Sequence, residues 1–204
     1  MADFGDTLDA FRADARDWLA ANFPPSLKGS TGGGERLEAL TPERDAWRKA
    51  MGDKGWGEPT WPRAYGGGGL SRDEAKVLSQ EMAAIGAYNP IGSMGVIMFG
   101  PTLLEYGTEA QKREHIPAIV KGERMWCQGF SEPGAGSDLA SLQTKAEDKG
   151  DHYLVSGSKI WTSGADKADW CFCLVRTDTS KKHEGISFLQ IGRASCRERV
   201  LQVV

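Results

Sequence analysis

The sequence predicts an α+β chain, with an all-α helical domain over residues 1–122 followed by a small β-barrel or β-sandwich domain over residues 123–190. Three observations predict it. Apolar residues recur at spacings of three and four as far as Val120, the period of helices that bury one face. From Met125 the period changes to short runs rich in β-branched and aromatic residues, broken by Gly and Asp. Helices first and strands after, with no internal repeat, is the order of two packed units rather than of alternating βα layers.

Each element has a local reason. Leu8, Phe11, Ala15, Trp18 and Ala21 make one apolar stripe, and Pro24-Pro25 stops that helix. A loop rich in Gly and Ser follows from Gly29 to Gly34. Thr41-Pro42 then opens a second helix, with Thr as N-cap and Pro at the first helical position, and that helix ends near Gly52 to Gly55. The stretch WGEPTWPRAYGGGGLS, Trp56 to Ser71, is an ordered loop that Trp56 and Trp61 anchor. Its four glycines lack the Lys-Ser/Thr of a phosphate-binding loop and the preceding strand of a dinucleotide motif, so they read as a turn. Ser71 and Glu74 form a capping box for a helix with Ala75, Leu78, Met82 and Ile85 on one face. Ile91 to Tyr106 is apolar nearly all round and predicts a buried helix kinked at Pro101. Thr108 and Gln111 cap the next helix, which Pro117 interrupts or restarts. Predicted strands are Trp126–Ser131, Leu142–Asp148, His152–Thr162, Trp170–Thr177 and Gly185–Gln190, with a hairpin turn at Lys149-Gly150.

Composition excludes several function classes. With 40% hydrophobic and 26% charged residues in 204, the chain has an ordinary globular balance. A net charge of −3 without a basic patch argues against nucleic acid. No run approaches the roughly 20 apolar residues of a membrane span. The N-terminus is acidic and lacks an apolar core with a cleavage site, which predicts a cytoplasmic protein. Cys127, Cys171, Cys173 and Cys196 read as reduced thiols, the middle two on one strand face. His115, His152 and His183 show no metal-ligand spacing, so no metal is predicted.

The densest chemical signal is GFSEPGAGSD, Gly129 to Asp138. A strand runs into a loop with two glycines and two hydroxyls. Such a loop exposes backbone N–H groups to a ligand, or is a surface turn; composition weighs both equally. This segment resembles the signature of the acyl-CoA dehydrogenase family. The resemblance extends to the Trp-Pro…Tyr-Gly-Gly loop at Trp61 to Gly67, to LLEYGTEAQK from Leu103 to Lys112, and to GSKIWTS from Gly157 to Ser163. It covers residues 5–190. Phe130 departs from it, standing where the family more often has an aliphatic residue.

The resemblance implies α,β-dehydrogenation of acyl-CoA thioesters, with FAD as cofactor. Gln128, Phe130 and Ser131 would line the flavin ring through backbone groups and the hydroxyl. Trp161, Thr162 and Ser163 would cover another edge, with Ser163 a donor near the reactive nitrogen. Ser137 matches the position that contacts the pantetheine of CoA, and Asp138 is expected to brace the loop. Partners implied are the acyl-CoA substrate, an electron-transfer flavoprotein as acceptor, and a second or further copies in a homodimer or homotetramer. The family's base is a glutamate from a C-terminal helical domain that these residues do not include. Glu105, at a helix end, and Glu132, in the loop, are rejected as substitutes, so no catalytic base is named. The chain by itself is expected to be inactive, unstable and a weak FAD binder at best. Other readings are an acyl-CoA oxidase, a flavin monooxygenase of the same fold, or a non-catalytic interaction module. The last of these needs no flavin loop. Residues 191–204 stand apart: IGRASCRERV resembles the translation of a sequencing adapter, and the whole tail reads as foreign.

Overall fold

A computed structural model describes residues 4–30, 41–192 and 202–203. They fall into two compact units, one from Met1–Gly92 with Lys112–Glu123, the other from Ser93–Gln111 with Arg124–Val204. Helices come first and the sheet after, as the periodicity predicts.

In the first unit, helix α1 (Phe4–Asn22) packs on α3 (Arg72–Ile85). The buried stripe of α1 passes through Ala15 and Leu19, both fully buried, and on to Phe23. Ala21, expected on that stripe, is exposed, because the stripe drifts with the 3.6-residue period. Between the two helices the buried Glu81 receives Arg12 at 2.7 Å and Arg16 at 2.9 Å. Helix α2 (Pro42–Asp53) starts as predicted, the Thr41 hydroxyl accepting from Arg44 N–H. Its Trp47 is fully buried against Phe23 and donates to the Tyr88 carbonyl at 2.9 Å. The capping box on α3 is complete in both directions. The first long Gly/Ser loop lies largely outside the described residues, from Thr31 to Leu40.

The glycine loop is a turn. N–H groups of Gly66, Gly67, Gly68 and Gly69 go to carbonyls of Arg63, Pro62, Glu58 and Trp61, which leaves no cradle for an anion. Trp56 anchors the loop, edge-on to Trp18 at 4.7 Å; Trp61 is only half-buried.

The second unit begins with a π-helical turn, Gly95–Phe99, that leads into α4 (Gly100–Tyr106). Helical backbone runs without a break from the π turn through Pro101 to Tyr106, with Phe99 and Gly100 both right-handed, so the predicted helix forms with a π-helical first part. Pro101 has no N–H to donate, and it sits in the first turn of α4, where none is needed. Phe99 and Leu103 are fully buried, but Ile97 is 69% and Tyr106 71% exposed, so the segment is not buried all round. Phe99 stacks on Trp126 at 3.8 Å and lies near Phe172 and Phe188. Gly95 lets that happen, since a Cβ there would lie 2.7 Å from the Trp126 ring. Thr108 and Gln111 cap α5 (Glu109–Val120) reciprocally, and Pro117 is held inside the helix instead of interrupting it.

Six strands form one mixed sheet: β1 (Trp126–Gly129), β2 (Lys145–Asp148), β3 (Tyr153–Ser156), β4 (Trp170–Arg176), β5 (Ile186–Gly192) and β6 (Gln202–Val203). β4 is central. One edge pairs antiparallel with β5; the other pairs in parallel with β1 and, at Arg176, with β2. Ala146, Cys173, Val175 and Leu189 form the sheet's apolar core. β1, β2 and β3 are shorter than predicted. The largest loss is in β3, where backbone after Ser156 leaves the ladder and turns towards the loop of Glu132. The hairpin connection is Lys149 to His152, closed by Lys149 N–H on the His152 carbonyl, with Gly150 at φ +91°. β5 continues through Ile191 and Gly192, two residues into the stretch read as foreign; residues 193–201 and 204 lie outside the described set. No described helix is long and apolar enough to cross a membrane.

Candidate functional site

β1 runs out at Gly129, and the chain folds back at once. Glu132 and Ala135 bridge each other, N–H to carbonyl at 2.8 and 3.1 Å, around Pro133-Gly134. This turn aims the Glu132 side chain inward. The buried carboxylate accepts from Gln143 N–H at 2.7 Å, Thr144 N–H at 2.9 Å and Lys159 Nζ at 2.7 Å. Burial alone pushes the carboxyl up; Lys159 and the hydrogen bonds from residues 143 and 144 outweigh it and hold it down at about 2. Glu132 is therefore a fixed anion that braces the loop. Glu105 is exposed on α4.

The second predicted stretch comes back to the first. Gly157 passes so close to Thr144 that a Cβ would lie 2.3 Å from its hydroxyl. Lys159, its side chain 13% exposed, donates to the Phe130 carbonyl at 3.0 Å as well as to Glu132. Ile160 N–H donates to the Ser131 carbonyl at 2.9 Å. The chain then rises into Trp161, which is 86% exposed and takes φ +57°, the one left-handed non-glycine among the described residues. Such a backbone costs a residue with a Cβ about 1–2 kcal/mol. Ser163, exposed, donates its N–H to the Trp161 carbonyl at 3.1 Å. Thr162 has a buried hydroxyl with no partner.

Six expected residues thus fall on two adjoining segments. Gln128 is half-buried on β1 opposite Phe172, and Phe130 meets the Phe172 ring edge-on at 5.7 Å. Ser131 is half-buried, and its N–H finds no acceptor among the described residues. Ser137 is exposed further along the loop and joins no hydrogen bond among the described residues. Asp138 braces, as expected, accepting from the Ser141 hydroxyl at 2.5 Å and Lys182 at 2.9 Å. A cleft of about 380 Å³ opens beside the bridge, between Pro133-Gly134, Ser141, Gln143 and Gly157-Ser158. Among the described residues no His, Cys, Asp and Glu cluster could hold a metal, and Cys127, Cys171 and Cys173 are free thiols. Cys196 lies outside the described residues.

Two family models match the chain: "Acyl-CoA dehydrogenase, N-terminal domain" over residues 5–123 and "Acyl-CoA dehydrogenase, middle domain" over residues 127–195. The chain belongs to the acyl-CoA dehydrogenase family. Acyl-CoA dehydrogenase IpdE1 of Mycobacterium tuberculosis is 42% identical over 188 residues, covering 90% of this chain and 49% of that protein. The solved structure of Tcur3481-Tcur3483 steroid ACAD shares 37% identity with a TM-score of 0.67, covering 94% of this chain and 49% of that one. The ChsE4-ChsE5 complex of Mycobacterium tuberculosis matches at 34% identity and a TM-score of 0.64, with 94% and 48% coverage. The chain spans about half the length of these relatives.

Acyl-CoA dehydrogenases are flavoenzymes, so the edge at 128–131 and 160–163 can be tested against a flavin. A flavin is flat, apolar on its faces and rich in acceptors along one edge. The residues present fit it: an indole held outward at a strained φ, and, among the described residues, a Ser131 N–H without an acceptor and a buried Thr162 hydroxyl without a partner. Sequence reasoning missed two supports. Lys159 stands in the sequence only as part of the GSKIWTS motif, although a Glu-Pro turn that buries its carboxylate calls for a cation. Arg176 ends β4 and donates to four carbonyls, those of Ala140, Leu142, Lys181 and Lys182, holding both loops beside Asp138.

Proposed function

We propose that residues 128–131 and 160–163 form the flavin-facing wall of an FAD-dependent acyl-CoA dehydrogenase, and that Ser137 meets the pantetheine arm of an acyl-CoA substrate. The observation that carries this is the exposed, left-handed Trp161 beside the free Ser131 N–H, two segments locked together by the Ile160–Ser131 hydrogen bond. FAD, when bound, would accept the hydride that leaves the β carbon of the acyl thioester.

The chain's own residues position and exclude. Trp161 offers an apolar plane that keeps water from one face. Ser131 N–H and the hydroxyls of Thr162 and Ser163 supply donors fixed before any negative charge develops, so no reorganisation is needed when it does. Gln128 and Phe130 set the height of the strand end below them. Neither Glu132 nor Glu105 serves as base. We place that role outside the described residues, which leaves this chain inactive alone and a weak FAD binder. The electron acceptor we assign is an electron-transfer flavoprotein, and the location cytoplasmic. Two relatives carry paired names, ChsE4-ChsE5 described as a complex, which favours assembly with a second, different chain over a homodimer or homotetramer. The steroid named for Tcur3481-Tcur3483 points to a bulky polycyclic acyl group as substrate.

Equilibrium dialysis of the purified chain against FAD tests the site. Weak saturable binding that shifts the flavin absorption bands is expected, and Trp161→Ala with Ser163→Ala should abolish it. A spectrum unchanged at millimolar FAD would sink the reading.

A further inference from the structure

We infer that Lys159 is a positioning residue that polarises the Phe130–Ser131 peptide, so that Ser131 N–H becomes a strengthened donor to the flavin edge. This rests on the flavin reading above. A buried lysine beside a glutamate is by itself a structural pair, and the Glu132 carboxylate would have two backbone donors without it. The second contact is what a structural pair does not require: Nζ also lies 3.0 Å from the Phe130 carbonyl.

That carbonyl and the Ser131 N–H are opposite ends of one peptide group. An ammonium on the oxygen draws electron density out of the amide and makes its N–H more acidic, the cooperative effect of hydrogen bonds in series. The N–H it strengthens is the one left without an acceptor among the described residues. On the far side, the Ser131 carbonyl is held by Ile160 N–H at 2.9 Å, so the next peptide is fixed as well. Lys159 thus delivers the influence of a charge to the flavin edge without exposing the charge there. Reduced FAD is the more electron-rich form, so a strengthened donor favours reduced FAD over oxidised FAD. A plain strut has a different signature, because its removal weakens both forms alike.

The test compares the chain with Lys159→Arg, Lys159→Met and the double variant Lys159→Met/Glu132→Gln, which leaves no buried charge unpaired. Each is dialysed anaerobically against oxidised and against dithionite-reduced FAD, with amide NMR reporting the fold and the Ser131 proton. Lys159→Arg should keep the preference for reduced FAD. The double variant should lower it about tenfold, the difference between a neutral and a charge-assisted hydrogen bond. That corresponds to a flavin potential about 30 mV lower for a two-electron couple. Without any flavin, the Ser131 amide proton should also move upfield in both Met variants. Equal loss of affinity for both forms, with the Ser131 resonance unmoved, would make Lys159 a strut and overturn the inference. If neither form of FAD perturbs Ser131 in the unsubstituted chain, the flavin reading itself fails.

Discussion

Glu132 accepts three hydrogen bonds in a space the chain has closed over, and the pH dependence follows from that. Its folded value, about 2, lies below the ordinary 4.5. The stability it contributes is therefore complete above pH 4.5 and lost as pH falls towards 2. Urea midpoints at pH 5 and pH 3 should differ in the parent and differ less in Glu132→Gln, the remainder coming from other paired carboxylates such as Glu81 and Asp138; the substitution should also cost about 3 kcal/mol at pH 7 by leaving Lys159 unpaired. Glu58 runs the other way. Burial raises it to about 7, so its contribution is full below pH 4.5 and lost as pH rises through 7. Glu58→Gln should raise the melting temperature at pH 8 and leave it unchanged at pH 4; equal effects at both would refute the shift. Gln190 is 2% exposed on β5 with neither amide atom partnered, so Gln190→Leu should stabilise by about 1–2 kcal/mol in urea unfolding. Sequence alone showed none of these three. Burial decides each, and burial is a property of neighbours that a single residue type does not carry.

Elements whose signals are local were legible. Thr41, Ser71 and Thr108 cap helices through hydrogen bonds that span three residues, so spacing was enough to find them. The segments at 128–131 and 161–163 were singled out for another reason, as family motifs, and the structure brings them side by side through the Ile160–Ser131 hydrogen bond. What failed depended on partners distant in sequence. β3 ends at Ser156 because Lys159 and Ile160 bind Phe130, Glu132 and Ser131, contacts made across almost thirty residues. The segment before Tyr106 stacks Phe99 on Trp126 and Phe172 of the sheet, so it joins the second unit although its periodicity is helical. Phe99→Ala should cost about 3–5 kcal/mol in urea unfolding and loosen amide protection in β1 and β4 first. A loss under 1 kcal/mol would show that the stack is not a core.

At the scale of the molecule, the chain spans about half the length of its relatives, and the proposed flavin wall is the part of a site these residues would supply. If, as proposed, no base lies within these residues, the chain should not exchange the α protons of an acyl-CoA in D₂O, even with FAD added; mass spectrometry showing exchange above the buffer rate would place a base within them. Trp161 ties the wall to a cost in stability. Trp161→Gly removes the strain at φ +57° and should raise stability by about 1 kcal/mol while weakening FAD binding. The same residue has an optical consequence. Of seven tryptophans, it is the one exposed large aromatic side chain of its kind among the described residues, so its emission is the reddest and the most open to collisional quenchers. Iodide should dim that component most, and any molecule that settles against Trp161 should shield it, giving the chain its own dye for reporting occupancy.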